Sequence, residues 1–184
     1  AHESFRIPEF VKQLIADGKL GRKSGGGLYK LVKYDNGLRR MTVYDITTGL
    51  YRDTIPYAFP FANKMKRLLS EGDYEDAFRQ LVSNHSQEAE LCLGFLLKYI
   101  VYSLYCAQEV AFTPEAADDV MATGFNWCPP IAMYDALSSV ADVSELIKDR
   151  LPDIAGQVDI DSLFSKIGTS RYDYRSYFKS GGRK

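Results

Sequence analysis

Every position from Leu91 to Ala107 is apolar except Gly94, Lys98 and Ser103. A run of this kind has two stable destinations, a bilayer or the centre of a water-soluble core. It falls slightly short of the roughly 20 residues that a membrane crossing needs, and it carries Lys98 at its middle, where hydrocarbon makes a charge costly. The reading is therefore a buried core helix, apolar on nearly all sides, around which the other elements must be arranged. Asn84 with Gln87 three residues later forms a capping-box pattern that opens this helix, which runs to about Val110.

The flanking segments are mostly helical. Pro8 suits a first helical turn, Phe10, Val11, Leu14 and Ile15 fall on one face, and Gly18 supplies the usual stop. A basic, glycine-rich turn, Gly21-Arg22-Lys23-Ser24-Gly25-Gly26-Gly27, leads into a strand-like region. Leu28 to Tyr34 and Leu38 to Ile46 flank Asp35-Asn36-Gly37, a strong hairpin signal. Thr47-Thr48-Gly49 turns again into Leu50-Tyr51-Arg52, and Pro56 and Pro60 stiffen a connection. Tyr29 to Phe61 thus reads as a small β element plus linker, the best internal boundary.

Downstream, Ala62, Met65, Leu68 and Leu69 form one apolar helical face, and Tyr74, Ala77, Phe78, Leu81 and Val82 another, with Gly72 between them. Thr113-Pro114-Glu115 starts a helix that stops at Gly124, where glycine permits a left-handed cap. Trp127 plugs the junction, and Pro130 fixes the start of the next helix, which carries Ile131, Met133, Tyr134, Leu137 and Val140. Asp142 with Glu145 is a second capping box, and Pro152 closes its helix. The tail from Ile167 is rich in Tyr and ends in a frayed Ser180 to Lys184.

Composition bounds the functional classes. A chain of 184 residues is about one domain, and 46% apolar with 26% charged residues is ordinary for a globular protein. The 23 basic and 24 acidic residues leave a net charge of −1, which gives no basic face for nucleic acid or a membrane surface. Aromatics are the unusual component: 13 Tyr, 10 Phe and one Trp. Cys92, Cys106 and Cys128 are odd in number and lack metal-ligand spacing, which reads as a reducing compartment. No basic segment followed by an apolar stretch marks a secretory signal near Ala1. A cytoplasmic protein is expected.

Motifs that could carry chemistry dissolve on inspection. The loop from Gly21 to Gly27 resembles a phosphate cradle in composition, but a P-loop needs a strand before it and a helix after it. Here the order is reversed, and a structural turn is the better reading, with Arg22 or Lys23 at most in casual contact with an anion. His2 is terminal, and His85 reads as a solvated or capping residue without an acid at dyad spacing. Ser24, Ser83 and Ser86 lack the strand–turn–helix setting of a nucleophile elbow. Asp118 and Asp119 point about 100° apart on a helix and read as a solvated face. No catalytic, cofactor-binding or metal residue is assigned on this chain.

Three segments, in order, carry a resemblance. The corner Gly124-Phe125-Asn126-Trp127-Cys128-Pro129-Pro130 through Asp135-Ala136-Leu137 resembles the C-terminal helical domain of the 3-hydroxyacyl-CoA dehydrogenase family. The segment Gly18-Lys19-Leu20-Gly21-Arg22-Lys23-Ser24-Gly25-Gly26-Gly27-Leu28-Tyr29 resembles the closing stretch of a helical repeat in that family. The insert Val43-Tyr44-Asp45-Ile46-Thr47-Thr48-Gly49-Leu50-Tyr51-Arg52 is similar to the hairpin linker of its larger bacterial and archaeal members.

This resemblance implies a mainly α chain: residues 1–30 ending a first helical repeat, 31–61 a β-hairpin and linker, 62–166 a second repeat and 167–184 a Tyr-rich tail. It also implies a fragment of an NAD-dependent enzyme of fatty-acid β-oxidation. The catalytic His–Glu pair and the NAD fingerprint would lie upstream, in a dinucleotide-binding domain of the same polypeptide. This part would supply a wall of the acyl-CoA cleft and a repeat or subunit interface, inactive alone, with homodimerisation through aromatic faces. Two departures from the family pattern, Pro129-Pro130 for Gly-Pro and Ala117-Asp118-Asp119 for an Ile-Asp pair, argue against a direct ligand role for the second repeat. The alternative is a non-catalytic helical interaction or acyl-CoA-binding module.

Overall fold

In a computed structural model, residues 7–178 are described, and they fall into two units that divide between Tyr57 and Ala58. Mainly α architecture with a small antiparallel sheet near the N-terminus is what the described residues form.

The N-terminal unit begins with α1 (Glu9–Ala16), placed directly after Pro8. Only Leu14 of its apolar face is buried, while Ile15 is exposed. Gly18, at φ +70°, ends the helix, and the Lys19 N–H returns to the Leu14 carbonyl at 2.8 Å. The glycine-rich loop that follows closes on itself. Gly21 and Gly26 exchange backbone hydrogen bonds of 2.8 and 3.0 Å, and Ser24 Oγ accepts from the Leu20 N–H at 2.8 Å. A helix precedes this loop and a strand follows it, which bears out a structural turn.

Strands β1 (Tyr29–Lys33), β2 (Arg39–Tyr44) and β3 (Tyr51–Asp53) form a meander in the order β1-β2-β3. The hairpin is where Asp35-Asn36-Gly37 places it, but only Gly37 takes a positive φ, +78°. Asn36 is therefore not in the left-handed region that a two-residue Asn-Gly turn requires, and the loop uses three residues with glycine last. At the second turn the Asp45 carboxylate accepts from the Thr47 and Thr48 N–H groups and pairs with Arg52 at 2.8 Å.

The C-terminal unit starts with α2 (Pro60–Glu71), so Pro60 is a first-turn residue and Phe61 a buried core residue, not part of a linker. The missing N–H and fixed φ of proline suit that first position. Gly72 at φ +88° separates α2 from α3 (Tyr74–Ser83). Next is α4 (Gln87–Val110), 24 residues long and therefore long and apolar enough to cross a membrane by length and composition. Its cap is not Asn84. Ser86 Oγ accepts from the Ala89 N–H at 3.3 Å, while the Asn84 side chain is engaged by the Ser86 N–H at 2.9 Å. Local bonding of Asn to the residue two ahead competes with capping and moves the helix start by two residues.

Short elements complete the unit: α5 (Glu115–Asp119), a π-helical turn (Val120–Phe125), α6 (Pro130–Ser138), α7 (Val143–Arg150), α8 (Pro152–Ala155) and α9 (Ile160–Ser165). Asp142 caps α7 through the Glu145 N–H at 3.1 Å, as its spacing predicts. Pro152 does close α7, and it also opens α8. Helical backbone passes through Gly124, and the left-handed residue is Asn126 at φ +53°. Asn tolerates that region by local side-chain hydrogen bonding. Trp127 is 53% exposed and packs its edge on Tyr99 at 6.1 Å between ring centroids, so it does not plug the junction.

One continuous core holds this unit together. Phe78, Leu81, Leu93, Leu97, Ile100, Leu104, Ile131 and Leu137 are fully buried. Helix α4 contributes one face to it, and its opposite face is exposed, so it is not enclosed on all sides. The Tyr-rich segment closes the far end: Tyr174 is buried with its ring edge-on to Tyr74 and Phe78, and Phe178 stacks edge-on to Phe78 at 5.8 Å. The Ser180 to Lys184 end and His2 lie outside the described residues.

Candidate functional site

Among the described residues the one deeply buried acid is Asp118, which the sequence placed on a solvated face and which is 1% exposed. The correction has a local cause. Helix α6 begins Pro129-Pro130, and neither proline has an N–H, so the first free donor at that helix start is Ile131, itself buried. Asp118 Oδ1 accepts from this N–H at 2.7 Å. An acid thirteen residues upstream thus serves as the cap that the prolines cannot supply, and it faces the positive end of the helix dipole.

Its second oxygen, Oδ2, accepts a hydrogen bond from the Ser170 hydroxyl. Ser170 in turn ties three strands of chain together. Its N–H donates to Asp135 Oδ2 at 3.0 Å, and its Oγ accepts from the Tyr172 N–H at 3.1 Å. The neighbouring Asp119 accepts from the Tyr172 hydroxyl at 2.8 Å and pairs with Arg171. Burial pushes the carboxyls of Asp118 and Asp135 above the ordinary range, while the Tyr172 hydroxyl and then Arg171 hold Asp119 below it.

Chemically this cluster is a latch. Every carboxylate is engaged by a donor from the 169–175 segment or from a helix start, and no nucleophile–base pair faces open space. The adjacent groove, about 420 Å³, is lined by Asp135 and Asp173 against Arg171 and Arg175, a mixture without one sign of charge. A second hollow of about 330 Å³ lies between the end of α4 and Lys166, beside Phe112 and Pro114.

Elsewhere the other sequence candidates separate. His85 does have an acidic partner: Nδ1 lies 3.1 Å from Glu90 Oε1, at a five-residue spacing that straddles the helix start. Glu90 also pairs with Arg150, and Arg150 first and His85 second hold its carboxyl below the usual range. The imidazole is exposed on the surface and outside both hollows. Ser24 is spent on the glycine turn and Ser86 on the α4 cap. The three cysteines carry free thiols; burial pushes Cys128 up to about 12 and raises Cys92, so neither is a thiolate at neutral pH. Among the described residues no group of three His, Cys, Asp or Glu side chains is placed to hold a metal.

What sequence reasoning missed is the Asp118–Ser170–Asp135 latch, and a signal existed for half of it. Two consecutive prolines before a helix remove both local donors and leave the third buried, so some distant acceptor has to reach it.

Comparison with known proteins places the chain beside one named enzyme. It is 26% identical over 141 residues to a probable 3-hydroxyacyl-CoA dehydrogenase of Bacillus subtilis (strain 168). The match covers 73% of this chain and 16% of that relative, so the chain spans a small part of the protein it resembles. No family model matches the chain, and no solved structure matches it.

Proposed function

We propose that this chain is the C-terminal helical part of an NAD-dependent 3-hydroxyacyl-CoA dehydrogenase of fatty-acid β-oxidation. The observation that carries the reading is the similarity to the Bacillus subtilis protein, together with the mainly α fold in which the Asn126–Trp127 corner joins α5 to α6. In the whole enzyme an upstream dinucleotide-binding domain of the same polypeptide binds NAD and carries the catalytic base. The present part forms a wall of the acyl-CoA cleft and an interface with a repeat or a second subunit. The latch suits that role, since it fixes α5, α6 and the 169–175 segment rigidly without offering reactive groups. Free thiols and a net charge of −1 fit a cytoplasmic homodimer that binds neither nucleic acid nor membrane.

The test has two arms. The genomic reading frame upstream of Ala1 is expected to encode a dinucleotide-binding domain, and the whole polypeptide to reduce NAD when given a 3-hydroxyacyl-CoA. The 184-residue chain alone is expected to show no NAD reduction above background. A start codon immediately upstream of Ala1, or activity in the isolated chain, overturns the reading. The first of those results favours the non-catalytic interaction or acyl-CoA-binding module.

A further inference from the structure

The edge of a sheet carries unpaired backbone groups that a further strand can bind, so small proteins cover it, shorten it or charge it. In the order β1-β2-β3 both outer strands are edges. Strand β3 is three residues long, and its Arg52 and Asp53 are tied to Asp45 and Arg40. Strand β1 is longer and exposed over most of its length. Its register fixes which backbone groups point outward. The Tyr44 N–H donates to the Leu28 carbonyl at 2.8 Å and the Tyr34 N–H to the Leu38 carbonyl at 2.9 Å, so the even-numbered residues of β1 bond to β2. The odd-numbered residues turn their N–H and C=O away from the sheet. The Tyr29 carbonyl accepts from the Gly27 N–H at 3.1 Å, which leaves the N–H and C=O of Leu31 and Lys33 open along the edge among the described residues.

The side chains beside these groups sort by chemistry. Tyr29 pairs with Val43 and Leu31 with Met41, on the face away from the buried Thr42 and Tyr44. Tyr29, Leu31 and Met41 are 61%, 40% and 46% exposed, an apolar strip that nothing covers among the described residues. The next rung on that face sets Lys33 against Arg39, like charges directly opposite, which disfavours the pairing. No local acid relieves it. Residues 7–57 hold nine Lys and Arg against five Asp and Glu. Four of those acids, Glu9, Asp17, Asp45 and Asp53, are already paired with Lys12, Lys19, Arg52 and Arg40.

We propose that the β1 edge binds an extended acidic segment of a partner protein as a fourth, antiparallel strand. The partner's main chain bonds to the open groups of Leu31 and Lys33, and its side chains supply the specificity. The residue opposite Lys33 is Asp or Glu, which offsets the Lys33–Arg39 repulsion. The residue opposite Leu31 is apolar and widens the strip formed with Met41. Because the partner runs against β1, its motif reads acid, any residue, apolar from N- to C-terminus. A second copy of β1 offers no acid there, since centring it on Leu31 returns its own Lys33 beside Tyr29. A lysine on a free edge repels strands that lack an acid, and so it selects the partner. The inference goes beyond the dehydrogenase reading and requires no activity of the chain.

The test is a titration of the nitrogen-15-labelled full chain with acetyl-Thr-Glu-Thr-Val-Thr-Val-Thr-amide and with the same peptide carrying Lys for Glu. Saturable binding of the Glu peptide with Kd of about 1 mM or tighter is expected, with slowed hydrogen exchange at the Leu31 and Lys33 amides. Reversing both cations, Lys33→Glu with Arg39→Glu, replaces one like-charge rung by another and is expected to leave the far-UV circular dichroism unchanged. That variant is expected to bind the Glu peptide at least about fivefold more weakly and to prefer the Lys peptide, because two cross-strand attractions become repulsions. No binding of the Glu peptide up to about 5 mM overturns the proposal. Equal binding of the two peptides by the wild-type chain does so as well, as does protection that falls on β3 instead of β1. Equal affinity for acetyl-Glu-Gly-Glu-Gly-Glu-Gly-amide shows charge attraction without an added strand and refutes it too.

Discussion

Replacing Asp118 probes the latch, and the structure sets the expected size of the effect. The carboxylate has two donors, the buried Ile131 N–H at 2.7 Å and the half-buried Ser170 hydroxyl. Asp118→Ala strands both. Each unsatisfied buried donor costs about 1–3 kcal/mol, so a loss of about 3 kcal/mol is expected, or about 6–12 °C in Tm for a chain of this size. Asp118→Asn keeps an acceptor for Ile131 and nearly the same volume, but its amide can only donate toward Ser170 Oγ, which already accepts from the Tyr172 N–H. One stranded hydroxyl proton costs about 1 kcal/mol. The assay is urea unfolding of both variants beside wild type, followed by far-UV circular dichroism. The informative quantity is the gap between Ala and Asn, about 2 kcal/mol, which neither side chain can change by titrating. If the two variants unfold together, or if Asp118→Ala loses less than about 1 kcal/mol, the carboxylate is not capping α6 and the latch is wrongly described.

Three further outcomes follow from the same structure. Burial raises Asp118 and Asp135, so the folded state holds their protons more tightly than the unfolded chain does. The stability this contributes is full below about pH 4 and is lost as pH climbs through the raised folded values; relative to wild type, Asp118→Asn is expected to gain ground as pH rises above about 4, measured as urea midpoints. Ser86→Ala removes the α4 cap and should cost about 1 kcal/mol, whereas Asn84→Ala, whose side chain does not cap α4, should leave the start of α4 intact by hydrogen exchange. Phe78→Ala empties a fully buried site shared with Tyr174 and Phe178 and should cost about 3–5 kcal/mol, with Tyr174 becoming accessible to nitration as the aromatic cluster opens.

The elements legible in sequence were those with a local cause. Gly18 and Gly72 end helices because only glycine adopts their positive φ cheaply; Asp142 caps α7 because its carboxylate reaches three residues forward. The glycine-rich loop was readable as a turn from element order alone. Where local rules competed, they misled: Asn84 turned to Ser86 instead of capping, and Asn126 took the left-handed position that Gly124 was free to take. The Trp127 plug failed because an aromatic at a helix junction can equally lie on its surface. The aspartates failed for a non-local reason, since nothing near Asp118 in sequence reveals the Ser170 hydroxyl 52 residues away.

The long apolar run decided by itself that a 24-residue helix would organise the chain, because no other backbone satisfies its own hydrogen bonds in an apolar setting. Which side of that helix would be covered was beyond it. Leu93 and Phe95 are equally apolar, yet one is buried and the other 62% exposed. The choice belongs to α3, α5, α6 and α9, which cover one face and leave the other bare. Tertiary packing also decided that a pair of acids would be split, Asp118 into the interior as a cap and Asp119 outward to Tyr172 and Arg171. Sequence spacing fixes the angle between two neighbours on a helix; only the chain folded over them determines which one meets water.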